Sequence, residues 1–250
     1  MSQAEQYLYK CAEQYRLRRA ERIIPRPASW SHQGTAFHSA CEEFEKSGRT
    51  LPSEAVVQVF SDQYTALTNK ALDKESDLSR WMTAGQVDAE TDMVNRYTLG
   101  QEQTVRYVEW AKESQPSYWQ AADGQQGLEL HLTAEIGGVP VQGYVDQLPL
   151  EPDGSVRVRD LKTGTTKSKF QLQTYTVLAR KVLGVEVNKA DWYMAKTGGL
   201  SRPVDVTMVT EEEVGKVFQE LDAGVKAGNF PANPGFHCRF CDVSHACKFF

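Results

Sequence analysis

At residue 128 the hydrophobic pattern of this chain changes period, and that change limits the architectures open to it. Leu128, Leu130, Leu132, Ala134 and Ile136 alternate with Glu129, His131, Thr133 and Glu135. Alternation of this kind marks a strand with one face buried. Gly137-Gly138 turns the chain into Val139, Val141, Gly143 and Val145, a second alternating run. Pro152-Asp153-Gly154 makes the next turn, and Val156 and Val158 begin a third strand. Leu172, Tyr175, Ala179 and Val182 then share one helical face, while 189–195 and 203–209 read as a fourth and a fifth strand. Thr210 and Glu213 form a capping box for a helix carrying Val214, Val217, Phe218, Leu221 and Val225.

The first half reads as helical. Residues 7–22 are rich in good helix formers, and the segment opening at Gly34 places Phe37, Ala40, Cys41 and Phe44 on one face. Segments 53–72 and 86–112 contain few breakers and predict two more helices. The order implies an α/β chain: a mixed central β-sheet flanked by helices, with a helical N-terminal part. A length of 250 residues, at about 150 per domain, fits one large unit. Its parts are N-terminal helices over 1–46, a helical insertion over 47–126, a core over 127–209, and a C-terminal helix and tail over 210–250.

Composition narrows the class. No apolar run approaches the roughly 20 residues that span a bilayer, and the first ten residues lack the basic start and apolar core of a secretion signal. No membrane association and a cytoplasmic location are expected. The five cysteines are an odd number, and three crowd into the last 13 residues, which favours metal ligation over disulfides. The net charge of −5 hides uneven local charge. Residues 16–26 carry five arginines against Glu21 alone, and 157–181 carry seven basic residues against Asp160 alone. Between Glu42 and Glu113 acids outnumber bases 14 to 8. The basic flanks could hold an anion; ordinary solvated surface is the competing reading.

Asp160 and Lys162 are two apart, so on a strand both project from one face. Asp146 closes the neighbouring hairpin strand, where it can meet Asp160 across the ladder. Two carboxylates converging at strand ends make an oxygen-rich site suited to Mg²⁺ or Mn²⁺. A lysine beside such an ion can orient a water and stabilise charge on a phosphate. An Asp–Lys surface pair is the simpler reading of Asp-x-Lys taken alone. His38 sits on the helix opening at Gly34 and joins the site only if that helix docks over the strand ends. Glu129 could contribute from another side or pair with a cross-strand cation.

The ordered set His38, Gly143-x-x-Asp146, Asp160-Leu161-Lys162 and Gln171-x-x-x-Tyr175 resembles the RecB-type branch of the PD-(D/E)xK nucleases, which includes phage and CRISPR-associated RecB-like exonucleases. The resemblance implies a restriction-endonuclease-like core. It makes His38, Asp146, Asp160 and the Leu161 carbonyl ligands of a divalent metal, with Lys162 the catalytic lysine. Gln171 and Tyr175 would steady the site or the DNA strand, and Glu129 matches an acidic position before the core hairpin.

Cys238-x-x-Cys241-x5-Cys247 is a compact ligand cluster, with Cys11 alone near the start. A subset of the resembled family carries one cysteine before the core and three after it. That pattern implies a 4Fe–4S cluster on Cys11, Cys238, Cys241 and Cys247, pinning the first helix to the tail. Zinc is the alternative, with His237 or His245 as a nitrogen ligand. Cys41, on an apolar helix face, is expected in the core. By resemblance the chain is a metal-dependent DNA exonuclease of recombination, repair or phage DNA processing, acting on single-stranded or frayed ends. A non-cleaving end-binding module and a nuclease acting on RNA are the alternatives. No phosphate-binding Gly-x-x-x-x-Gly-Lys loop is present, so unwinding would fall to a separate helicase or recombination protein. The basic runs could track the DNA backbone, with Trp30, Trp192 or Tyr193 stacking on bases.

Overall fold

The computed structural model describes residues 3–165 and 168–250. The N-terminal segment forms not one helix but a chain of short turns: α1 (Gln3–Glu5), a π-helical turn at Gln6–Lys10, α2 (Ala12–Tyr15) and a second π-helical turn at Arg16–Ala20. The break falls at Cys11, whose backbone is extended (φ −165°, ψ 112°). Helix formers lie on both sides, so propensity did not reveal it.

Three long helices follow: α3 (Ser29–Lys46), α4 (Ser53–Leu72) and α5 (Ala89–Ser114). Helix α3 starts five residues before Gly34. Then come β1 (Leu128–Ile136), β2 (Val139–Gln147), β3 (Val156–Lys162), α6 (Lys169–Leu183) and β4 (Val187–Met194). The expected fifth strand is split into two short pieces, β5 (Gly199–Leu200) and β6 (Val204–Asp205), before α7 (Glu211–Lys226). Pro203 lies between the two pieces and has no N–H to donate to a ladder. Thr210 and Glu213 form the expected capping box at the start of α7.

The sheet runs β1-β2-β3-β4-β5, with β6 also on β4. Its β1–β2, β2–β3, β4–β5 and β4–β6 pairs are antiparallel, whereas β3–β4 is parallel. A parallel pair needs a crossover, and α6 supplies it. This is the mixed sheet flanked by helices expected of a restriction-endonuclease-like core. Helices α6 and α7 cover one face, packing Leu172, Leu178 and Phe218 on Leu130, Val145 and Val158. Helices α3, α4 and α5 cover the other with Phe37, Phe44, Phe60 and Tyr107 against Leu161 and Tyr193. Burying each such side chain contributes about 1.5–3 kcal/mol.

The second face also holds a buried ionic lock. Asp191 on β4, fully buried, accepts from Arg159 at 2.8 and 3.0 Å and from Arg157 at 2.8 Å. Glu151 takes the rest of the Arg157 guanidinium. The bidentate geometry satisfies the charges where water does not reach.

Gly137, at φ +60° in the β1–β2 turn, meets Gly215 of α7 backbone to backbone. A Cβ on Gly215 would fall 3.0 Å from the Gly137 Cα and 3.2 Å from its N. No side chain is available to swing aside. Gly215→Ala should therefore lower the urea midpoint, costing about 1–3 kcal/mol through overpacking. That sign opposes the gain of about 1 kcal/mol that Gly→Ala brings in an open helix, and a raised midpoint would show that the contact is not tight.

Candidate functional site

Strands β2 and β3 pair at Gln147↔Arg159, a register that sets Asp146 beside Asp160. Beyond that pair the backbones part, and the Leu161 peptide is satisfied by side chains. Its N–H donates to Asp146 Oδ2 at 2.7 Å, and its carbonyl lies 3.1 Å from His38 Nε2. His38 comes from α3, packed on this face by Phe37, Ala40, Cys41 and Phe44. Its Nδ1 is 3.2 Å from Glu129 Oε1 and 3.6 Å from Asp146 Oδ2.

Glu129 reaches inward because its backbone is left-handed (φ +47°), rare for a non-glycine residue. The next polar residues of β1, His131 and Thr133, point to solvent as the alternation predicts. One ligand atom each from His38, Glu129 and Asp146 lies within 4.8 Å of the other two, close enough to share a metal ion.

Asp160 is buried, with Lys162 Nζ 2.9 Å from Oδ1 and 2.7 Å from Oδ2. Oδ2 is buried and, although ion-paired with the ammonium, makes no hydrogen bond among the described residues. Lys162 Nζ also reaches Gln171 Oε1 at 3.4 Å, and Gln171 Nε2 donates to the Tyr175 hydroxyl at 2.8 Å. Ser168 caps α6 by accepting the Gln171 N–H at 2.9 Å, which aims this first turn at the strand end. Gly143 explains the other half of its motif. A Cβ there would lie 2.9 Å from the Tyr175 ring, so only glycine lets the ring cross β2.

The electrostatics suit a cation. Burial raises the Asp146 carboxyl above the ordinary range. Burial and the charge of Asp146 push Asp160 up to about 6, against the pull of Lys162. Burial disfavours charge on His38, but Asp146, Glu129 and Asp160 outweigh it and hold the imidazole at about 9. The carboxylates thus crowd together with too little water and too few positive partners. Asp160 Oδ2, held by an ion pair but by no hydrogen bond among the described residues, and a carbonyl at the rim complete a donor set that fits a hard divalent ion.

Sequence reasoning missed the polar groups behind the site. Gln103, fully buried on α5, donates to the Thr163 carbonyl at 2.9 Å and accepts from Gln33 at 2.7 Å. Tyr107 donates to Glu45 at 2.8 Å and accepts from Gln147, next to Asp146. The region 47–126 thus braces both the β3 exit and the end of β2. Glutamines on helices carry no motif; the only signal was polarity on an apolar face.

At the other end, Cys11, Cys238, Cys241 and Cys247 line one small cavity with Leu17, His237 and Phe250. The Gly235 N–H points at Cys238 Sγ at 3.4 Å. His245 lines a different, larger groove, while Cys41 is buried under α3 as expected. Trp192 and Tyr193 are core residues, 4% and 0% exposed, and so unable to stack on bases. The basic run over 157–181 is largely consumed internally. Arg157 and Arg159 hold Asp191, Arg180 bonds backbone carbonyls, Lys181 pairs with Glu211, and Lys167 lies outside the described residues.

The profile of the PD-(D/E)XK nuclease superfamily matches residues 1–248. The Gene 69 protein of Mycobacterium phage D29 is 33% identical over 260 residues, spanning 100% of this chain and 96% of the relative. The Gene 69 protein of Mycobacterium phage L5 is 30% identical over 279 residues, with the same coverage.

Calorimetric titration with Mn²⁺ should find a cation site that Asp146→Ala weakens by at least about tenfold, as loss of a ligand does. Unchanged affinity in the variant, with the fold intact by circular dichroism, would move the cation elsewhere.

Proposed function

Because this chain belongs to the PD-(D/E)XK nuclease superfamily, we propose that it is a metal-dependent DNA exonuclease acting on single-stranded or frayed ends. The observation that carries the reading is the meeting of His38, Glu129, Asp146, Asp160, the Leu161 carbonyl and Lys162 at the opened β2–β3 junction. The histidine, the three carboxylates and the carbonyl would hold Mg²⁺ or Mn²⁺. Such an ion would supply Lewis acidity and lower the pKa of water at the site so that it can give up a proton near neutral pH. Lys162, fixed between Asp160 and Gln171, would orient the attacking water and balance charge growing on the phosphate. Gln171 and Tyr175 hold the lysine in place and offer polar groups to the strand. DNA is the substrate, in recombination, repair or phage DNA processing, and a separate helicase or recombination partner would supply unwound ends. Among the described residues no helix is long and apolar enough to cross a membrane.

The four cysteines are read as holders of a 4Fe–4S cluster that clamps the N-terminal turns to the tail. The cavity they share supports one common ligand for the four sulfurs, and the cysteine pattern of the resembled family favours a cluster over a single zinc ion. Its role is structural: it joins chain ends more than 200 residues apart.

End-labelled linear DNA with Mn²⁺ should be degraded, and Lys162→Ala or Asp160→Ala should slow this by at least about a hundredfold. Near wild-type cutting by either variant would remove those residues from the reaction. Covalently closed single-stranded circles should persist; their rapid cleavage would make the enzyme an endonuclease. Digestion of RNA in preference to DNA would change the substrate.

Protein prepared without oxygen should be brown, with a band near ~400 nm and about four iron and four sulfide per chain. Cys11→Ala should lose the colour as fully as Cys247→Ala, and Cys41→Ala should keep it. A colourless protein carrying one zinc would replace the cluster.

A further inference from the structure

A large groove lies apart from the acidic site. It has a volume of about 1180 Å³ and lies between the N-terminal turns, the cysteine-bearing tail, the start of α3 and the end of α4. None of His38, Glu129, Asp146, Asp160 or Lys162 lines it. Its lining holds five Lys or Arg residues (Lys10, Arg18, Arg26, Lys74 and Arg80) against two acids, Glu75 and Asp242, a balance of +3 in a chain of net −5. Local charge of this sign on an acidic protein is complementary to a polyanion.

Two of the five arginine and lysine side chains are already paired: Arg18 with Asp242 at 3.3 Å and Arg80 with Glu75 at 3.1 Å. Arg26 donates through Nη2 to the Cys241 carbonyl at 3.0 Å, while its Nε is buried without a hydrogen-bond partner among the described residues. Lys10 and Lys74 make no ion pair among the described residues. Aromatic surface is interleaved with the charge. Trp30 is half-buried in the wall, and Phe240 is 50% exposed. Basic residues with available ring faces match an unpaired strand, whose bases can stack, better than a duplex, whose bases are already stacked.

Helix α3 links this groove to the acidic site. Ser31 lines the groove, and His38, seven residues on, returns to the same face of the helix about 10 Å further along its axis. Gly34 lies between them on that face. Its backbone faces Thr163, the residue after Lys162, whose Oγ1 would be in ordinary contact, 3.7 Å away, with a Cβ at Gly34.

We propose that this groove is the binding track for the single-stranded DNA leading to or from the cleavage site, with Lys10, Lys74 and Arg26 on phosphates and Trp30 and Phe240 on bases. The proposal rests on the nuclease reading of the acidic site, but its test does not depend on cleavage. Fluorescein-labelled (dT)20 is titrated with full-length protein in EDTA over a series of salt concentrations. Lys10→Ala/Lys74→Ala should bind at least about tenfold more weakly and flatten the slope of log K against log salt by roughly 1.4, which is 0.7 for each lost phosphate contact. Trp30→Ala should weaken binding about fivefold or more with the slope unchanged, as loss of a stacking surface does. Unaltered affinity and slope in the lysine variant would overturn the proposal. So would equal affinity for a blunt 20-base-pair duplex with the same loss in the variants, because the groove would then be reading a duplex.

A second readout separates this from the nuclease reading. Bis(p-nitrophenyl) phosphate occupies only the cleavage site, so the groove variants should hydrolyse it with Mn²⁺ at the wild-type rate. Slowed hydrolysis in those variants would mean that the lysines act on the site itself, against the proposal. A wild-type protein that binds (dT)20 through these lysines yet hydrolyses no phosphodiester would overturn the nuclease reading and keep the groove.

Discussion

The Leu161 peptide is the point on which this architecture turns. In a continuous ladder its N–H and carbonyl would pair with β2. Here β2 leaves β3 after Gln147↔Arg159, and the two groups are taken by Asp146 and His38 instead. A buried peptide cannot be left without partners at small cost. The bond from Leu161 N–H therefore fixes the carboxylate of Asp146, and the contact at its carbonyl fixes the docking of α3. Opening the ladder at this pair also makes the gap into which Asp160 and Lys162 project.

Charge is handled in two opposite ways within a few ångströms of backbone. On one face of β3, Arg157 and Arg159 meet Asp191 and Glu151 in matched geometry, and the ion pairs close on themselves. At the strand end the carboxylates of Glu129, Asp146 and Asp160 outnumber their cationic partners among the described residues, where Asp160 Oδ2 has the Lys162 ion pair but no hydrogen bond. The first arrangement holds β3 to β4. The second is destabilising for the bare protein, as buried carboxylates are when too few cations offset them. Such a cost is tolerable because the helices of the other layer brace it. Gln103 holds the Thr163 carbonyl, and the Glu45–Tyr107–Gln147 chain secures the end of β2.

The two ends of the chain add a separate constraint. Leu17 packs with Cys241 and Val243 in a small core of its own, away from both faces of the sheet. The cysteines gather around it, and the groove opens beside it. A change that loosened the tail would therefore reach the groove before it reached the acidic cluster.

Much of this was legible in the sequence. The β1–β2 hairpin, the α7 capping box, the α4 boundaries and the same-face placement of Asp160 and Lys162 follow from local periodicity and turn chemistry, which depend on neighbours in the chain. Same-face spacing pointed to Asp146, Asp160 and Lys162, the resemblance to a nuclease family added His38, Glu129, Gln171 and Tyr175, and the structure brings all seven together. Other features depend on groups far apart in sequence. The break at Cys11 defied the helix formers around it. Trp192 and Tyr193 had the chemistry to stack on bases but were drawn into the core. Seven basic residues over 157–181 looked like an anion surface, yet Asp191, 34 residues from Arg157, takes two of them inside. The sequence alone determined which residue types could perform the chemistry and on which local elements they lie. Only the tertiary structure decided which charges remain free, because pairing and burial depend on what folds against each residue.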